Sequence, residues 1–339
     1  MKAGSERVVK RTISGYLVPS STGNSSENFI PRNNVTPPVT PALGTDPSRE
    51  GDIVPATSKD VKAIIRLVEE AGWAYTRTEV ERLIAVQPGG MLLKRSSGFR
   101  HELLGCVYAS AWGMLGFIGL MLVKESHRGQ GMGRDLMAAG LAHIRSSGIT
   151  SVGLDSVGKA ISFYSRLGFK ADWASLRFGI ETARLDLPEP PPDVRKGGDL
   201  DLSRAIELDK LMSGLDREDL LRRLHSDGDS TLLAVPTEKA VLAFGMLRRS
   251  KGCMRLGPLV SVQNEEGDMA AKAIIAAAIQ ETYPRLMTVN VPEYNEAMVE
   301  HLVSLGAVSY APCTRMYMGD PGRARRPEGS WALGAAEKG

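Results

Sequence analysis

Three cysteines in 339 residues, Cys106, Cys253 and Cys313, stand far apart, with no Cys-x-x-Cys pair and only five histidines in the chain. That scarcity excludes a disulfide scaffold and leaves no zinc-ligand spacing, so no metal is expected. An excess of one charge is missing too. The 42 Lys and Arg face 39 Asp and Glu, a formal net charge of +3, which is too small for bulk electrostatic binding of nucleic acid. Long apolar runs are absent, since none reaches the ~18 residues of a membrane span. What remains is 42% hydrophobic residues and 36 glycines, enough for two domains of roughly 100–200 residues each. The expectation is a soluble cytoplasmic protein with neither nucleic acid nor membrane as a partner.

Residues 1–48 read as a disordered tail. Ser20-Ser21-Thr22, Asn33-Asn34 and Pro37-Pro38 set its tone, and no apolar period lets it bury surface. It opens with Lys2, Arg7, Lys10 and Arg11 against the single acid Glu6, a partial match to an organelle transit peptide. Without an amphipathic Arg helix, an ordinary solvated extension is the preferred reading.

From residue 49 the pattern changes. Apolar spacing predicts helices over Asp60–Glu70 and Thr78–Val86, with Thr57, Ser58 and Thr78 as caps. Strands are expected at Gly90–Lys94, Leu103–Trp112 and Phe117–Lys124, then a helix over Gly131–Ser147 with the stripe Leu136, Met137, Leu141, Ile144. A strand at Ser151–Asp155, a helix at Lys159–Arg166 and a strand at Ala171–Glu181 complete a module over 49–185. The stretch 186–198, with Pro188-Glu189-Pro190-Pro191-Pro192 and Gly197-Gly198, is a linker. Residues 199–319 repeat the same order, and 320–339 read as a second tail. At a constant offset of 138, Ile118-Gly119 falls on Leu256-Gly257, Leu167-Gly168 on Leu305-Gly306, and Arg177 on Arg315. The chain is a duplicated α/β (α+β) module.

Chemistry concentrates in Met121-Leu122-Val123-Lys124-Glu125-Ser126-His127-Arg128-Gly129-Gln130-Gly131-Met132-Gly133-Arg134. A hydrophobic strand stops, a glycine-rich loop turns, and a helix begins. Gly129, Gly131 and Gly133 let backbone N–H groups approach an anion, the helix start adds unpaired donors, and Arg128 and Arg134 add positive charge. The pattern suits a pyrophosphate. It is not a P-loop, which needs Gly-Lys-Ser/Thr, nor a dinucleotide fingerprint, which would follow the first strand.

The run Arg128-Gly129-Gln130-Gly131-Met132-Gly133 resembles the acetyl-CoA signature of the GNAT superfamily of N-acyltransferases, as does Phe163-Tyr164-Ser165-Arg166-Leu167-Gly168-Phe169. The full length resembles tandem GNAT proteins with a degenerate C-terminal module: Gly72-Trp73, the stretch from Leu208 to Arg217, and Thr314-Arg315-Met316-Tyr317 carry that likeness. The resemblance implies two modules, each a mixed, mostly antiparallel sheet flanked by helices. It implies acetyl-CoA as cosubstrate, its pantetheine arm along Met121, Leu122 and Val123 and its pyrophosphate on Arg128, Gly129, Gln130, Gly131, Met132, Gly133 and Arg134. Tyr164 would protonate the leaving thiolate.

Two features depart from the family. Val157 stands where many relatives have Asn, and the strand before the loop carries no carboxylate. Asp155 is the nearest candidate base, with a helix N-cap as its alternative role. Trp73 and Asp209 are candidate substrate contacts, Trp73 being equally readable as a core aromatic. In the copy, Arg128 becomes Glu266, Gly131 becomes Met269, Gly133 becomes Ala271 and Tyr164 becomes Leu302, so the second module is expected not to bind CoA. Val157 becomes Asn295. The expected reaction is acyl transfer from acetyl-CoA to a small-molecule primary amine within a ternary complex. The alternative is a CoA-binding sensor or scaffold without turnover.

Overall fold

The structure is a computed structural model that describes residues 52–97, 101–185 and 193–334. The expected N-terminal tail and the proline run of the linker lie outside the described residues. Strands β1 (Ile53–Pro55), β2 (Met91–Arg95), β3 (Leu103–Trp112), β4 (Leu115–Val123), β5 (Ser151–Ser156) and β6 (Lys170–Glu181) belong to the first half. The second half supplies β7 (Arg195–Lys196), β8 (Ser230–Pro236), β9 (Val241–Ser250), β10 (Cys253–Ser261), β11 (Leu286–Pro292), β12 (Val308–Ser309), β13 (Cys313–Met318) and β14 (Ser330–Ala332). The helices are α1 (Val61–Glu70), α2 (Arg77–Val86), α3 (Met132–Ser146), α4 (Ile161–Arg166), α5 (Asp199–Ser213), α6 (Glu218–Ser226), α7 (Glu265–Thr282) and α8 (Glu296–Ser304).

Local chemistry accounts for these boundaries. Helix α2 starts after Thr76, whose hydroxyl accepts from Glu79 N–H at 3.2 Å while Glu79 takes Thr76 N–H at 2.8 Å. That reciprocal box outcompetes Thr78, the cap expected from sequence. Helix α3 buries Leu136, Met137, Leu141 and Ile144 against β2–β5, as its stripe predicts. On the other face of that sheet, α1 and α2 bury Val61, Ile64, Leu67, Val68, Val80 and Leu83.

Both halves have the same plan, with β4 parallel to β5 and β10 parallel to β11. They are not two separate sheets. The strand order runs β1-β2-β3-β4-β5-β13-β6-β11-β10-β9-β8-β7, with β12 paired to β6 and β14 to β10. The last long strands have changed places: β6 leaves its own half and pairs with β11, while β13 returns to pair with β5. Boundaries drawn at 185 and 199 therefore mark the duplication in sequence, while the described residues all belong to one compact unit. The expected second tail is also corrected. Ser330–Ala332 is a buried strand, because Trp331 and Leu333 carry enough apolar surface to dock beside β10.

Candidate active site

Strand β4 pairs with β5 only over Leu115–Ile118, and the two then part. Its register on β3 shifts between Gly119 and Leu122, and Leu120 in between has φ 45°. A left-handed leucine costs on the order of 1–3 kcal/mol, so the surrounding sheet enforces this bulge. Beyond it, Lys124 N–H donates to Leu104 C=O at 2.7 Å. Strand alternation turns the backbone of Val123, and of Met121 two residues before it, to the open edge. Arg128 Nε donates to Val123 C=O at 3.1 Å on that edge. The Leu122 side chain is buried under α1 and α2, leaving only its backbone near the cleft.

Gly131 is the N-cap of α3 at φ 86°, a conformation that favours glycine, and no side chain caps the helix. Among the described residues, the N–H groups of 129–133 have no acceptor. Gln130 and Arg134 are exposed at its rim, while Met132 is buried as the helix anchor. A Cβ on Gly133 would stand 3.2 Å from Met121 Cε, so a larger residue there would crowd the parted strand.

At the head of the parting lies a cavity of about 240 Å³ lined from both halves. The first half contributes Gly72–Tyr75, the β4 bulge, Asp155, Val157 and Tyr164, and the second half Arg255, Thr288, Asn290, Tyr310 and Cys313, with Arg177 on the exchanged β6. Trp73 lines the cavity and packs against the core under α1. Tyr164 is buried against Phe163 and Phe169, with ring centroids 5.1 and 6.1 Å away. Burial, with a smaller effect of Cys313, pushes its pKa up to about 12.

Two expected site residues are otherwise engaged. The Asp155 carboxylate lines the cavity wall but is bound by Arg315 Nε, both side chains being at most 2% exposed. Burial works against the Arg315 charge, and the adjoining Asp155 and Tyr317 carry its pKa above the usual arginine value. Its guanidinium also lies over the rings of Trp173 and Phe117 at 4.7 and 5.0 Å. Asp155 is thus a counter-ion, and no helix is capped by it, since Val157 precedes the next turn. Asp209 sits away from the cavity and holds buried Arg217 through both carboxylate oxygens. It is a structural partner between α5 and α6, buried and outside the cavity lining.

Comparison with known proteins matches both halves to one family. Residues 95–171 fit one family model described as an acetyltransferase (GNAT) domain, and residues 205–329 fit another with the same description. The chain belongs to the GNAT superfamily, as a tandem protein. An uncharacterized N-acetyltransferase of Bacillus subtilis, YitH, is 20% identical over 259 residues, spanning 75% of this chain and 87% of that protein. Among solved structures, a tandem GNAT protein from the clavulanic acid biosynthesis pathway superposes at TM-score 0.58, with 15% identity, 80% of this chain and all of the other covered. Saccharomyces cerevisiae N-myristoyltransferase superposes at TM-score 0.63, with 12% identity over 91% of each chain.

The second GNAT module keeps the architecture and has lost the cradle. Asn264 caps α7 by accepting from Gly267 N–H at 2.8 Å, and Glu265, Glu266 and Asp268 fill the first turn. The Asn264 side chain occupies one of the helix-start donors, and the charge is of the wrong sign for a phosphate. The parting between β10 and β11 is filled by the chain itself. Strand β14 pairs with β10, Leu333 N–H donates to Asn290 C=O at 2.8 Å, and Trp331 Nε1 donates to Ser261 Oγ at 2.9 Å. Asn295, the residue matching Val157, donates to Ser330 C=O at 2.9 Å. A Cβ on Gly257 would meet Leu333 C=O at 2.2 Å, so only glycine admits the segment there. A cavity of about 410 Å³ beside this plug, lined by Asn295, Arg326 and Trp331 among others, is remote from the open cradle.

Of the wall facing Tyr164, Arg255, Thr288, Asn290 and Tyr310 went unread in the sequence, while Cys313 entered only as a lone cysteine and Arg177 only as a mark of the repeat. Their spacing carries no motif; only the strand exchange brings them beside Tyr164.

Proposed function

We propose that this GNAT-type acyltransferase moves an acetyl group from acetyl-CoA to a primary amine of a small molecule, by direct attack within a ternary complex. The observation that carries this reading is the cavity at the β4–β5 parting, which has the Met121 backbone and Tyr164 in one wall. The residues present fit the cosubstrate: unpaired N–H groups and Arg128 face a pyrophosphate, and the free edge of β4 offers strand-like hydrogen bonds to a pantetheine amide. When bound, acetyl-CoA supplies the activated acyl thioester.

The chain's own residues do the rest. A backbone N–H on the open edge of β4 polarises the acyl carbonyl, a contribution of about 3–4 kcal/mol in comparable sites. Tyr164, its pKa pushed up to about 12 by burial, donates its proton to the departing thiolate and regains one from solvent. Among the described residues Asp155 is the one carboxylate lining the cavity, and it is committed to Arg315. The amine therefore enters neutral, with solvent as the proton sink. A panel of small amines scored by free-thiol release tests the proposal. Turnover supports it; saturable acetyl-CoA binding with no turnover on any amine favours the sensor or scaffold.

A further inference from the structure

The duplication places Arg177 and Arg315 at equivalent positions, yet their surroundings differ. Arg315 on β13 lies directly across from Asp155 on β5, and the two form an ion pair. Arg177 on β6 lies directly across from Asn290 on β11. Where the β13–β5 pairing has an acid, the β6–β11 pairing has an amide. Arg177 is half-buried in the wall of the cavity, and its Nη2 donates to the thiol sulfur of Cys313 at 3.0 Å. That thiol is uncharged, since burial raises its pKa. No carboxylate among the described residues lies within 4.0 Å of Arg177.

A second cation faces the same space. Arg255 on β10 neighbours Thr288 on β11, two residues from Asn290, and its Nη1 stands 3.9 Å from Glu79 Oε1. Arg177, Arg255 and Tyr310 all line this one cavity, and the two cations offset part of the upward push that burial gives the Tyr310 phenol. A half-buried guanidinium without a counter-ion is costly, and the cheapest remedy is an anion brought by the ligand. A planar fork of N–H donors beside an amide and a hydroxyl matches a carboxylate.

We infer that the acceptor is a primary amine bearing a carboxylate, and that Arg177, with Arg255 beside it, receives that carboxylate while the amine faces Met121 and Tyr164. The amine half of this statement rests on the acetyl-transfer reading; the anion site stands on the cavity itself.

The test compares amino acids of increasing chain length with their primary amides, using wild type, Arg177→Gln and Arg177→Lys at saturating acetyl-CoA. Thiol release is read alongside calorimetric binding of the same amines to CoA-loaded protein. Wild type should prefer an acid over its amide by about tenfold or more in kcat/KM. Arg177→Gln should collapse that preference toward unity through KM, a rise of about 10–100-fold for the acid, and Arg177→Lys should recover part of it. Should Arg177→Gln not fold, Arg255→Gln must show the same KM-borne loss of preference. Equal use of acids and amides by wild type would overturn the inference and leave acetyl transfer standing. Preference for an aminoalkyl phosphonate over every carboxylate would overturn the assignment of class. Arg177-dependent binding of acids without turnover would keep the anion site and remove the transfer reaction.

Discussion

Tyr164→Phe keeps the ring against Phe163 and Phe169 and removes only the hydroxyl. If that hydroxyl protonates the thiolate, acetyl-CoA affinity should persist while kcat falls by roughly 10²–10⁴. Wild-type turnover in the purified variant would remove Tyr164 from the mechanism. Its raised pKa, about 12 through burial, also sets the pH profile. An acid with a raised pKa keeps its proton until the pH nears that value. The rate should therefore climb with pH up to the amine's own pKa and show no alkaline fall below about pH 11. An alkaline limb in kcat near pH 9–10 would mean that another group donates. At Asp155 the expectation concerns stability. Asp155→Asn strips a buried guanidinium of its counter-ion, which should cost about 3–5 kcal/mol in denaturant unfolding. A double Asp155→Leu, Arg315→Met variant should recover much of that loss, because it removes both charges together.

Among the elements, those with local causes were legible in the sequence. The stripe of α3, the glycine loop and the order of strands and helices in each half were all visible from spacing alone. The exchange of β6 and β13 was not. Each strand has the same alternation whichever β5-like neighbour it joins, so periodicity carries no trace of the choice. The role of Asp155 was hidden for the same reason, since Arg315 comes from an exchanged strand; that of Asp209 depends on how the loop between α5 and α6 turns Arg217 back onto it. The plug formed by β14 was concealed by its composition. A Gly-, Arg- and Pro-rich approach reads as a tail, and Trp331 becomes a core residue only once the parting between β10 and β11 exists to receive it. The same plug explains why Asn295 is retained in a module without a cradle. Deleting residues 327–339 should expose that parting and lower stability, since buried Trp331 and Leu333 are lost. Calorimetry on the truncated protein should still find one acetyl-CoA site per chain, because Glu266 and the Asn264 cap remain. A second site in that variant would mean that the plug, and not the altered cradle, silences the second module.

Taken as a molecule, the two GNAT modules share one continuous sheet, and buried charges tie them further. Arg82 of α2, itself 0% exposed, holds Asp227 at 2.6 Å and Asp229 at 2.7 Å beyond α6. Hinge motion between the halves would have to break these pairs, which opposes a change in the spacing of the cavity's two walls. The exchange of β6 and β13 also has a consequence for biosynthesis. The first module reads as complete by residue 185, yet the strand that seals β5 lies at Cys313–Met318, near the end of the chain. While the second half is still being translated, the first half waits with the edge of β5 bare and β6 unplaced. An unpaired edge in a waiting intermediate invites pairing with a neighbouring nascent chain. The native sheet around β5 therefore closes only after roughly the whole second half has left the ribosome.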